Sequence, residues 1–288
     1  MRLMIVVFMS ATIALSLVAK VADLRTRQLL QKGGGKPSEE LVESPPERRD
    51  DSEPCFVEVP KVNSLSDATV YEDVLSRQSR DFGDSSGRHV NVHETAHGIH
   101  SDLRMKYTRE LGYRVNAFYC LKGRAVILKE PRLRMTHVAR RVPKKLRSYR
   151  YELYFVKQLK DWDDTPTYPL EEWAAYILGS ECAVEDNKMG IGRPRSDTVS
   201  GCLDFSIYAI VTAMAVKEED PNYWESHPEF RRFIKYNLIR AEKAFAEGRE
   251  VFRSDKQEKL LEVFNNDEDS EHVLEFMKRE FGDYFKQI

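Results

Sequence analysis

The chain runs His93-Glu94-Thr95-Ala96-His97, two imidazoles four residues apart with a carboxylate directly after the first. On a helix the two histidines stand one turn apart on one face, so both rings can reach a single ion. Glu94 points along the same side, where it can take a proton from water held by that ion. With seven histidines in 288 residues, chance yields this H-E-x-x-H pattern in about one or two such chains per hundred. The bland alternative is a polar helix face with two ordinary histidines, and the surrounding sequence must decide between them.

A third ligand is the test. In the series H-E-x-x-H-x-x-G-x-x-H the third histidine would fall at position 103, which is Leu103, and Gly98 follows His97 directly. That class is excluded, and the reversed order H-x-x-E-H is absent. The other source is a Glu on a later helix. The stretch from Tyr168 to Gly179 (Tyr-Pro-Leu-Glu-Glu-Trp-Ala-Ala-Tyr-Ile-Leu-Gly) has Pro at its start, acids in its first turn and Gly near its end, the signals of a helix. Glu171 and Glu172 each have Ala three positions later. Glu172 is the favoured ligand, because Trp173, Tyr176 and Ile177 could then anchor the helix in the core. Glu171 would accept a hydrogen bond from a ligand imidazole. Without a metal, the same acids are explained by the helix dipole.

His93, Glu94 and His97, with the downstream Glu-Trp-Ala-Ala-Tyr helix, resemble the zincin metallopeptidases, specifically the gluzincin branch of thermolysin and anthrax lethal factor. The resemblance covers two short segments. It implies a zinc ion held by His93, His97 and Glu172, a water activated by Glu94, and hydrolysis of peptide bonds. The chain lacks the thermolysin-like Asn before the third-ligand Glu and the Asp four residues after it, so the likeness is to the branch and not to one peptidase family.

These residues need elements to position them. The motif helix should continue from Asp102 to Leu111 and stop at Gly112, with residues 87–92 as a short approach to it. Segments 114–121 and 124–129, joined by Lys122-Gly123, read as a hairpin. Its strands could offer an edge to an extended peptide, though a plain structural hairpin explains them equally well. Residues 129–160 hold eleven Lys or Arg and two acids. A solvated charged face accounts for this run better than a surface for acidic ligands. His137 lies within it and, like Tyr176 or Tyr208, is a candidate to stabilise an oxyanion. Leu203 to Val216 is apolar nearly all round and too short to span a bilayer, so it reads as a buried central helix. Amphipathic helices follow over 228–251, 255–263 and 271–285.

The ends set the domain plan. Met1-Arg2 followed by an apolar run to Ala22 reads as a signal peptide over 1–22, or as an uncleaved anchor. Residues 23–80 read as a disordered linker, with a strand hinted at Cys55–Pro60. The catalytic domain would then occupy 81–288. A net charge of -2 gives no argument for nucleic acid, and a membrane enters only through an anchor. Four cysteines are too few for a disulfide scaffold; Cys182 with Cys202 is the favoured bridge.

The expectation is a mostly helical α+β, zincin-like domain with a small β-hairpin or sheet and a helical C-terminal part. It would be a secreted or extracytoplasmic zinc peptidase acting on a peptide or protein substrate. The rival is a secreted helical binding protein with a structural or vestigial zinc site, closed by a fourth ligand for which His100 or His89 is nearest.

Overall fold

The computed structural model describes residues 53–78, 87–192 and 198–286. The N-terminal apolar run and most of the expected linker lie outside the described residues. Along the chain come β1 (Val57–Glu58), α1 (Val70–Ser76), α2 (Arg88–Leu111), β2 (Val115–Tyr119), β3 (Arg124–Lys129) and α3 (Met135–Arg141). Short helical turns fill the stretch from Lys144 to Trp162. Then come α4 (Tyr168–Lys188), α5 (Ser200–Glu219), α6 (Pro221–Ser226), α7 (Pro228–Gly248), α8 (Asp255–Asn266) and α9 (Glu268–Glu280). The domain is mostly helical with one three-stranded antiparallel sheet, in the order β1-β3-β2.

The motif lies on α2. The helix starts at Arg88, so residues read as an approach already form its first turn. It ends at Gly112, whose left-handed backbone lets its N–H reach the Thr108 carbonyl. Val92, Ala96, Ile99 and Leu103 recur at helical spacing and bury one face of α2 against β2, α1 and α4. The histidines flank that apolar stripe.

α4 lies between α2 on one side and α5 on the other. It begins at Tyr168 as expected but runs past Gly179 to Lys188. Gly179 is not a stop: a Cβ there would lie 2.9 Å from the His89 carbonyl oxygen, so the glycine marks where α2 and α4 press together. Gly201, at the start of α5, has the same use, because a Cβ there would overlap the Tyr176 ring. α5 is buried along almost its whole length, as its all-round apolar sequence requires.

The hairpin turn holds Leu121, Lys122 and Gly123 in left-handed backbone, costly for the first two. Asp73 of α1 compensates. Its carboxylate accepts the Lys122 N–H at 2.7 Å, the Tyr119 hydroxyl at 3.0 Å and the Arg77 guanidinium at 3.1 Å. Residues 53–78, read as part of a linker, therefore belong to the folded body: β1 pairs with β3, and Asp73 of α1 holds the hairpin turn. All five residues of β2 are buried and α2 covers the strand, so it offers no open edge to a peptide.

The Cys182–Cys202 bridge does not form. All four cysteines are free, and the two face different cores, Cys182 the cluster around α2 and Cys202 the larger cluster around α5. Much of the basic run is paired: Arg134 with Asp163, Arg140 and Arg141 with Glu219, and Lys145 with Asp267. This is the solvated face expected of a charge run.

Candidate metal centre

α2 and α4 cross with their polar residues facing. His93 Nε2 and His97 Nε2 are 3.0 Å apart, and Glu172 Oε2 lies 3.8 Å from the first and 3.6 Å from the second. Donors sharing one tetrahedral zinc at bonds of about 2.0–2.1 Å stand roughly 3.3–3.4 Å from one another. The three atoms bracket that separation. Glu172 Oε2 is buried and has no hydrogen-bond partner, an arrangement costly for a carboxylate unless a cation faces it. The group therefore fits a metal ion. The His93 and His97 side chains keep 15% and 13% of their surface.

Each donor is held from behind. The His97 Nδ1–H donates to Glu171 Oε1 at 2.7 Å, which leaves the Nε2 lone pair for a metal. The Tyr168 hydroxyl donates to Glu172 Oε1 at 2.7 Å, and the Tyr168 ring stacks on Trp162 with 4.3 Å between centroids. Tyr176 sets its ring edge-on to His93 at 4.5 Å, and its hydroxyl lies 3.4 Å from that of Tyr154. Tyr176 thus packs the His93 ring and turns its hydroxyl to Tyr154.

The charges agree with a cation site. Burial opposes a charge on His97, but the carboxylates of Glu171 and Glu172 outweigh it and raise the imidazole to about 10. Burial holds His93 well below its ordinary value, and the His97 charge adds to this. Burial also pushes Glu172 up to about 7, while His97 and His100 outweigh burial at Glu171 and hold it low. The carboxylates of Glu171 and Glu172 thus favour a positive charge among these atoms. Glu94, half-buried on α2, is close enough for its charge to act on both His97 and Glu172.

His137 is not brought to the site. It sits 3.6 Å from Glu219 at the far end of α5, whereas Tyr176 touches Gly201 at the near end. The intervening helix spans roughly 27 Å at its usual rise. Tyr208 bonds Ser148 at 3.0 Å. His100 turns to Glu171 at 2.9 Å, and among the described residues no fourth His, Cys, Asp or Glu donor joins the group of His93, His97 and Glu172.

Two features escaped the sequence. Tyr168 stands one turn before Glu172 on the same helix face, a spacing that could have been read. The buried ion pair of Arg150 and Asp204, at 2.7 Å, joins residues far apart in the chain, and nothing local signals it. Its guanidinium lies 5.0 Å from the centre of the Tyr176 ring, so the pair supports the wall behind His93.

No protein-family model, curated protein or solved structure matches the chain.

Proposed function

We propose that the domain is a zincin-like zinc peptidase, with His93, His97 and Glu172 as ligands and Glu94 as general base. The observation that carries this reading is the unpartnered Glu172 Oε2 facing two imidazole Nε2 atoms. Two imidazoles and a carboxylate are a donor set suited to zinc, and three protein ligands leave a position open for chemistry. A zinc ion bound there supplies a Lewis acid for the scissile carbonyl and lowers the pKa of water.

The chain's own residues do the rest. Glu94 accepts a proton from the attacking water as its oxygen bonds to the carbonyl carbon. It then returns that proton to the amine nitrogen as the C–N bond breaks. Glu171 keeps His97 in the ligating tautomer, Tyr168 keeps Glu172 turned toward the imidazoles, and Tyr176 fixes the His93 ring. Export from the cytoplasm belongs to the same reading and rests on the apolar N-terminal run alone. A closed structural site would need a fourth protein ligand, and His100 is engaged elsewhere.

The test is zinc content and peptide-library cleavage by the purified full-length protein. Wild type and Glu94→Gln should each hold about one zinc per chain, with turnover lost in the variant by at least ~100-fold. Glu172→Ala should lose the metal, whereas Glu171→Ala should keep it more weakly. Wild type that takes up no zinc, or Glu94→Gln that cleaves at full rate, would sink the proposal.

A further inference from the structure

Resting on that zinc site, the geometry points to His100 as a positioning residue that acts on the metal through Glu171 and His97. Glu171 Oε1 receives two imidazoles, His97 Nδ1 at 2.7 Å and His100 Nδ1 at 2.9 Å. His100 is wholly buried, and its Nε2 has no hydrogen-bond partner. A buried imidazole with one nitrogen unserved is a poor way to fill a core next to Phe118; an apolar side chain would pack there without that penalty. The bond to Glu171 gives the residue a use.

That bond constrains the carboxylate. One N–H donor leaves a carboxylate free to swing about its Cγ–Cδ bond, and a second donor on the same oxygen from another direction fixes it. Glu171 so held offers His97 Nδ1 one acceptor in one place, which sets both the tautomer and the ring plane of the ligand. The triad of His97, His100 and Glu171 could also be imagined as a second cation site. There the acceptor is already satisfied, since both imidazoles bond the one oxygen Glu171 Oε1, whereas Glu172 Oε2 of the first group has no hydrogen-bond partner. His100 therefore orients a ligand and does not act as one.

The experiment compares zinc affinity by chelator competition, and zinc release rate, in the full-length protein with His100→Phe and His100→Asn. Phenylalanine keeps the ring and removes the donor, while the Asn amide places an N–H close to where Nδ1 stood. His100→Phe should bind zinc about 10–100-fold more weakly and release it faster, with its metal-free form melting no lower than wild type, and His100→Asn should stay within about threefold of wild type. The inference is overturned if His100→Phe binds as tightly as wild type, or if both variants are equally impaired. It is also overturned if wild type holds two zinc ions and His100→Phe one, since His100 would then be a ligand. A wild type without zinc would remove the peptidase reading and this inference together. Zinc retained equally by wild type and His100→Phe would remove this inference alone.

Discussion

Glu172 divides its two oxygens between two tasks. Oε1 takes the Tyr168 hydroxyl, and Oε2 is left bare toward the imidazoles. Tyr168 is in turn held flat on Trp162, so an aromatic stack sets where a carboxylate points. Replacing Tyr168 with Phe keeps the stack and deletes the hydroxyl's contacts to Glu172 at 2.7 Å and to Gln158 at 3.0 Å. Zinc affinity should fall by about 10-fold, within the range for a lost ligand-orienting partner, while stability changes by only about 1 kcal/mol. Chelator competition beside urea denaturation checks both, and an unchanged affinity would mean that the backbone of α4 alone orients Glu172. At this scale the sequence is informative where relations are local. His93 and His97 share a helix face by their spacing. Adjacent residues on a helix point about 100° apart, so one of Glu171 and Glu172 can meet the Nε2 atoms while the other meets Nδ1. Which imidazole nitrogens face which helix depends on how α2 and α4 cross, and no local pattern states that.

That crossing is made by glycine. Gly→Ala in a helix interior ordinarily stabilises by about 1 kcal/mol, but at Gly179 the new methyl would meet the His89 carbonyl at 2.9 Å. The sign should invert: Gly179→Ala should destabilise by about 1–3 kcal/mol, as overpacking does, and weaken zinc by spreading the donors of α2 from that of α4. Denaturant midpoints with and without zinc measure both, and a stabilised variant would show that the crossing has slack. A glycine that ends a helix and a glycine that admits a neighbour look alike in sequence, which is why Gly179 reads as a stop. The start of α4 carries a second lever. Glu130, just after β3, accepts the Thr167 hydroxyl at 2.5 Å where α4 begins. Burial pushes its carboxyl up to about 7, against the pull of Thr167 and Arg114. A raised acid binds its proton more tightly folded than unfolded, so this contribution to stability is full below pH ~4.5 and lost as pH rises through about 7. Glu130→Gln should remove that decline, and stability curves at pH 5 and pH 8 for the two proteins will reveal it.

The molecule as a whole is closed by its least conspicuous part. Residues 53–78 have the Pro, Ser and Asp content of a spacer, and composition alone places the domain boundary near 80. What composition misses is that a few side chains suffice when each meets a need already present. β3 needs a partner along its outer edge, and β1 supplies it. The hairpin needs an acceptor to hold its left-handed residues, and Asp73 supplies that. Val59 and Val74 complete the cluster beneath α2 and the sheet. Burying two such side chains is worth about 1.5–3 kcal/mol each, and each lost hydrogen bond to a charged group about 1.5–3 kcal/mol more. Their sum is comparable with the whole stability of an ordinary domain, about 5–15 kcal/mol. A fragment starting at residue 80 should therefore lack a cooperative thermal transition and bind zinc poorly even though every proposed ligand is present. A fragment starting at residue 53 should melt cooperatively and bind zinc like the full chain. Near-ultraviolet circular dichroism through a thermal scan separates the outcomes. If the shorter fragment melted sharply within a few degrees of the longer one, α1 and β1 would be an ornament on a core that α2, α4 and α5 complete by themselves.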